Sequence, residues 1–107
     1  MCALAFGGQV EVAEYGTSGS PELAANVVKA LGNRNAALMA NHGSLGVGKD
    51  LDQALLVCDL LEKMCLTYYC ATLAGGAVPI SSEAISILKN GVGKTYGQPG
   101  AATATAG

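Results

Sequence analysis

The chain is poor in charge, in aromatics and in histidine. Only 13% of its 107 residues are charged, against ~25% in an ordinary soluble domain. The net charge is −2, the basic residues are scattered, and no aromatic platform lies among them. That excludes an electrostatic footprint for nucleic acid. Tryptophan is absent and there is one phenylalanine. The single histidine, His42, excludes a zinc site built from this chain's imidazoles alone, because a catalytic zinc takes three protein ligands. It also leaves no second imidazole to activate a serine nucleophile. The four cysteines (2, 58, 65 and 70) contain no Cys-x-x-Cys pair, which argues against a zinc knuckle. Cys58 and Cys65 fall in one expected helix with Cα atoms ~10 Å apart, beyond disulfide reach. Buried thiols in a reducing cytoplasm are expected instead.

The N-terminal "MCALAFGG" lacks the positive start of a signal peptide. Residues 64–82 carry no charge, but "AGGAVP" interrupts them well short of the ~20 residues a membrane span needs. A cytoplasmic protein with no membrane partner is expected. Half of the residues are nevertheless apolar. A chain of this length hides that much apolar surface with difficulty, so it either self-associates or belongs to something larger.

Local punctuation is strong. "GQVEVAEYG" (8–16) alternates as a half-buried strand, with Val10 and Val12 on one face, Glu11 and Ala13 on the other, and Gly16 closing it. Ser20, Pro21 and Glu22 make an N-cap, an N1 proline and a first-turn acid. Leu23, Val27, Ala30 and Leu31 follow at helical spacing, and Gly32 ends the helix. "AALMAN" (36–41) reads as an interior strand, and "SLGVG" (44–48) as a second one turned back at "NHG". Asp50 and Gln53 form a capping box for a long helix over 51–74. That helix is apolar nearly all round, with positions 52, 59, 63 and 67 as a narrow polar stripe. Ser81 or Ser82 caps a shorter helix. No internal repeat is present. The order strand, helix, strand, strand, helix, helix, with a tight 41–44 turn, predicts an α+β fold containing an antiparallel pair.

Several residues invite chemistry. Gly43, Gly46 and Gly48 precede Lys49, but the spacing fits no phosphate loop, and Asp50 stands where a magnesium-binding hydroxyl belongs. A tight hairpin and a close helix start explain these glycines better. Asp50, Asp52 and Asp59 read as a cap and a solvated face rather than a metal site. Ser81 and Ser82 read as caps. Tyr15, Tyr68, Tyr69 and Tyr96 could each offer a phenol, but packing suits them better. His42, at a strand end, is either structural or functional on pattern alone.

The segments "GSPELA", "ALGNRNAALMANHG", "VGKDLDQAL" and "LEKMCLTYY", within residues 9–83, resemble the C-terminal half of the class II aldolase/adducin family. That family includes L-fuculose-phosphate aldolase and L-ribulose-5-phosphate 4-epimerase. The resemblance implies an α/β/α sandwich around an antiparallel sheet, often a C4 homo-tetramer, with a divalent metal, usually zinc, at a subunit interface. A family domain is expected over 1–94, and residues 95–107, which lack periodicity, are expected to be a flexible tail. The resemblance maps the last of three imidazole ligands onto His42. The zinc would polarise the oxygens of a small sugar phosphate and stabilise an enediolate. The other two ligands, a His-x-His pair, and the catalytic glutamate belong to the family's preceding half. Glu11, Glu14 and Glu22 do not match that glutamate. The expectation is therefore a fragment of a metal-dependent aldolase or epimerase, inactive alone. The alternative is a non-catalytic, adducin-type assembly domain.

Overall fold

The computed structural model describes residues 2–92. In order it contains α1 (Cys2–Phe6), β1 (Val12–Ala13), α2 (Pro21–Leu31), β2 (Ala36–Met39), β3 (Gly43–Gly46), α3 (Leu51–Leu73) and α4 (Ser82–Val92). The chain divides into two compact units, one through Ala77 and one from Val78 onward. The expected tail, 95–107, and Tyr96 lie outside the described residues.

In the first unit the three strands form one sheet in the order β1-β2-β3. The β2–β3 pair is the antiparallel hairpin read from "NHG", with Ala36 opposite Gly46 and Met39 opposite Gly43. The β1–β2 pair is parallel, with Val12 opposite Leu38 and Ala13 opposite Met39. The sheet is therefore mixed, which corrects the antiparallel expectation. A parallel neighbour requires a crossover of a dozen or so residues, and α2 with its two flanking turns supplies it.

Successive residues of β2 point to opposite sides of the sheet, and each side has its own core. Ala36 packs with Phe6, Val57 and Leu61, which brings α1 and α3 to one face; Leu38 joins them. Ala37 packs with Ala13 and Ala30, which brings α2 to the other face; Met39 joins there. Helices thus cover both faces of a small sheet. The fully buried Phe6 and Leu61 are its largest apolar anchors. Burial of each is worth about 1.5–3 kcal/mol. The short helix α1 was not anticipated from the sequence. Val12 and Ala13 point to opposite faces, as the alternation predicts, with Ala13 buried (1% exposed) and Val12 facing out (59%).

The caps are as read. Ser20 Oγ accepts from Leu23 N at 3.1 Å. Asp50 Oδ1 accepts from Gln53 N at 2.8 Å, and Gln53 Oε1 accepts from Lys49 N at 2.7 Å. Gly46 and Gly48 let α3 settle directly on β3. A Cβ on Gly46 would stand 2.6 Å from Cys58 Sγ, and one on Gly48 would stand 2.8 Å from Ala54 N.

Helix α3 outruns its support. Its 23 residues span ~35 Å, whereas a four-residue strand spans ~13 Å. Only Val57 and Leu61 of this helix are buried. Leu51, Leu55, Leu66, Tyr69 and Leu73 are exposed and fall within ~60° of one another around the helix axis. Cys58 is half-buried, but Cys65 and Cys70 are exposed, which corrects the expectation of buried thiols. No disulfide joins the described cysteines. No helix among the described residues is long and apolar enough to cross a membrane.

The second unit contains α4. Ser81 is its cap, with Oγ accepting from Ala84 N at 3.2 Å, so the choice between the two serines falls on Ser81.

Candidate functional site around His42

The site begins as a turn. β2 ends at Met39, and His42 N donates back to Met39 O at 3.0 Å. Asn41 occupies the left-handed region (φ 64°), the one non-glycine among the described residues with positive φ. A positive φ at the third position is the type II turn pattern, and asparagine tolerates it better than any branched residue. Gly43 follows at φ 140°, a conformation that excludes other side chains more firmly. Asn41 and Gly43 thus direct the chain on either side of His42.

The turn carries the imidazole to the segment that follows β1. The carbonyl of Gly16 lies 2.8 Å from His42 Nε2. The Tyr15 ring stacks on the imidazole, with centroids 5.6 Å apart and planes 4° from parallel. Tyr15 is itself more than half exposed (57%), so its ring covers the histidine rather than filling the core. The 14–16 segment is tied to α2. Asn26 Nδ2 donates toward the carbonyls of Glu14 (3.2 Å) and Tyr15 (3.4 Å). Gly16 lies so close to α2 that a Cβ would come within 2.7 Å of Leu23 Cα. Three elements therefore meet at His42: the β2–β3 turn, the exit from β1 and, through Asn26 and Leu23, α2.

The other chemically suggestive residues are elsewhere. Glu11 and Glu14 line a cleft of about 330 Å³ with Asn26, Lys29 and Arg34. Asp50 is occupied as the α3 cap, and Asp52 and Asp59 are exposed on that helix. Tyr68 and Tyr69 are exposed on α3 rather than packed in the core. Gly46 and Gly48 serve helix packing, as expected. Among the described residues, no group of three or more His, Cys, Asp or Glu could hold a metal ion. His42 supplies one imidazole donor, and the described residues do not complete a chelating set around it.

Sequence reasoning located His42, Asn41 and Gly43. It missed Tyr15, Gly16 and Asn26 as neighbours of the histidine. One signal was available: Asn26 is a poor helix former placed inside a well-capped helix, which suggests a side chain with a partner.

Residues 1–69 match the family described as Class II Aldolase and Adducin N-terminal domain. The chain belongs to the class II aldolase/adducin family. It is 34% identical over 98 residues to an L-fuculose phosphate aldolase of Escherichia coli (strain K12), a match covering 91% of this chain and 45% of that protein. It is 30% identical over 98 residues to a 5-methylthioribulose-1-phosphate/5-deoxyribulose-1-phosphate aldolase of Rhodospirillum rubrum, covering 91% and 43%. A solved L-fuculose 1-phosphate aldolase superposes with a TM-score of 0.77 at 34% identity, covering 81% of this chain and 41% of that one. The chain thus spans less than half the length of these relatives.

Proposed function

We propose that this chain forms part of a divalent-metal-dependent aldolase acting on a small sugar phosphate, with His42 as one of the metal's ligands. The observation that carries the reading is the construction around His42. An exposed imidazole is held by a turn, a carbonyl and a stacked ring, in a chain whose relatives are named as sugar-phosphate aldolases. Such an arrangement suits a ligand, because outer hydrogen bonds fix the tautomer and orientation of a metal-binding histidine. Zinc is the metal favoured by the reading. When bound, it would act as a Lewis acid toward the carbonyl and hydroxyl oxygens of the substrate. The remaining ligands and the proton-abstracting carboxylate would come from outside the described residues, so the chain is inactive alone. The epimerase branch of the family follows from the same reading, with another substrate at the same histidine.

The exposed leucine and tyrosine stripe of α3 supports a second element, assembly with further protein, whether a complementary segment or other subunits of a homo-oligomer. A purely non-catalytic assembly domain would have the stripe but no use for the arrangement at His42.

Reconstitution tests the proposal. The chain is co-expressed with the part of the Escherichia coli relative that the match leaves uncovered. Cleavage of L-fuculose phosphate or 5-methylthioribulose 1-phosphate is then followed with and without zinc. The expected result is metal-dependent cleavage that disappears in His42→Ala, with none from the chain by itself. Cleavage by the chain alone, or unchanged activity in His42→Ala, contradicts the proposal.

A further inference from the structure

The cleft of about 330 Å³ beside β1 and α2 does not include His42. Half of the eight residues lining it are charged, in a chain that is only 13% charged. The signs are separated. Glu11 and Glu14 stand on the β1 side, Lys29 on α2 and Arg34 just beyond the end of α2. None of the four forms an ion pair with another. Opposite charges that line one cleft without meeting leave room for a ligand that carries both signs. We propose that this cleft binds a small zwitterion of the α-amino acid class. Arg34 and Lys29 take its carboxylate, and Glu11 and Glu14 take its ammonium group. The proposal uses neither His42 nor a metal, so it stands apart from the aldolase reading.

Arg34 carries the argument furthest. Its Nη2 donates to Ala30 O at 2.8 Å, while its Nε is buried with no acceptor. Among the described residues it is the one buried side-chain donor left in that condition. Nε–H and Nη2–H share one edge of the guanidinium, the edge that holds a carboxylate by two parallel hydrogen bonds. Ala30 offers that edge one oxygen. A ligand carboxylate offers two, and the guanidinium turns toward the cleft to take them. Lys29 adds a second cation beside it. The two carboxylates of the β1 side repel a plain anion and favour one that bears an ammonium group. Ala13 and Ala30 also line the cleft, and their small side chains leave space for a short apolar side chain on the ligand. Both sides are fixed before anything binds. Glu11 O accepts from Leu38 N at 2.9 Å, Ala13 O accepts from Ala40 N at 3.1 Å, and Asn26 ties the Glu14 carbonyl to α2 at 3.2 Å.

Arg34 is the chain's single arginine, so its Nε–H gives one unambiguous ¹H–¹⁵N signal. The experiment titrates L-alanine, acetate, ethylammonium and inorganic phosphate separately into the ¹⁵N-labelled chain at constant ionic strength. L-alanine should shift the Arg34 Nε–H and the backbone amides of residues 11–14 and 29–30 together and saturably, with a dissociation constant on the order of 1–10 mM for so small a ligand. Acetate and ethylammonium should each bind at least about tenfold more weakly, because each loses the charged hydrogen bonds of one end. Lys29→Gln and Glu11→Gln change exposed side chains, so the melt should stay where it is while L-alanine binds about tenfold more weakly to each. Arg34→Lys keeps the charge but not the two-donor edge and should weaken L-alanine and acetate alike. The absence of saturable shifts at these amides overturns the proposal. Acetate or phosphate binding as tightly as L-alanine overturns it too, since it marks a plain anion site. So does unchanged L-alanine affinity in both Lys29→Gln and Glu11→Gln.

Discussion

Gly46→Ala tests how tightly α3 sits on the sheet. Gly46 has no positive φ, so its requirement is for space alone. The added methyl would stand 2.6 Å from Cys58 Sγ, 2.9 Å from Ala54 O and 3.2 Å from Cys58 N. Two of these three atoms are helix backbone and cannot move without lifting α3, whose neighbours Val57 and Leu61 form the core with Phe6. Overpacking of this kind costs about 1–3 kcal/mol. At about 4–8 °C per kcal/mol for a domain of this size, the melting temperature should fall by roughly 5–20 °C. The thiol and the backbone contributions are separable. Cys58→Ala removes the closest atom but leaves Ala54 O in place, so the double variant should recover part of the loss and not all of it. Thermal and urea melts followed by circular dichroism give the four stabilities of the cycle. A Gly46→Ala chain that melts with the wild type would show that α3 does not rest on β3 at this distance. Complete recovery in the double variant would show that the backbone contact is not real.

Four further outcomes are expected. Asn41→Gly should be nearly neutral, whereas Asn41→Val, which places a branched residue at φ 64°, should lose about 1–3 kcal/mol in urea melts. Ser20→Ala removes the α2 cap and should cost about 1 kcal/mol by the same measurement, with Ser20→Gly costing less. Leu56→Lys, on the exposed polar stripe of α3, should leave the melt unchanged, while Leu61→Lys should prevent cooperative folding, because it puts a charge among Phe6, Ala36 and Val57. On the same helix, Leu55→Lys with Leu66→Lys should reduce association measured by light scattering; a dilute wild-type monomer with a cooperative melt would refute the need for a covering partner.

What could be read from the sequence was what is encoded within a few residues. Ser20, Pro21 and Gly32 bound α2, and Asp50 with Gln53 starts α3, because caps act over three or four positions. The "NHG" turn announced a hairpin for the same reason. Long-range features were not readable. The parallel direction of β1 depends on α2 crossing over the sheet, and two paired residues leave too little alternation to show which face is buried. Ala13 is inside because it meets Ala30 and Ala37, a contact between three elements that no local pattern shows. Cys65 is exposed because the helix extends beyond the strands, and Cys70 because it falls at the same angle around the helix as the exposed Asp52. At the site, the histidine and its turn were legible, whereas Tyr15, Gly16 and Asn26 come to it only through the fold.

His42 is proposed as a metal-ligand position. Calorimetric titration of zinc into the chain and into His42→Ala tests it most directly. One imidazole with water as its companion cannot match a site of three protein ligands, so weak binding that disappears in His42→Ala is predicted. Tight one-to-one binding that survives His42→Ala would contradict the account.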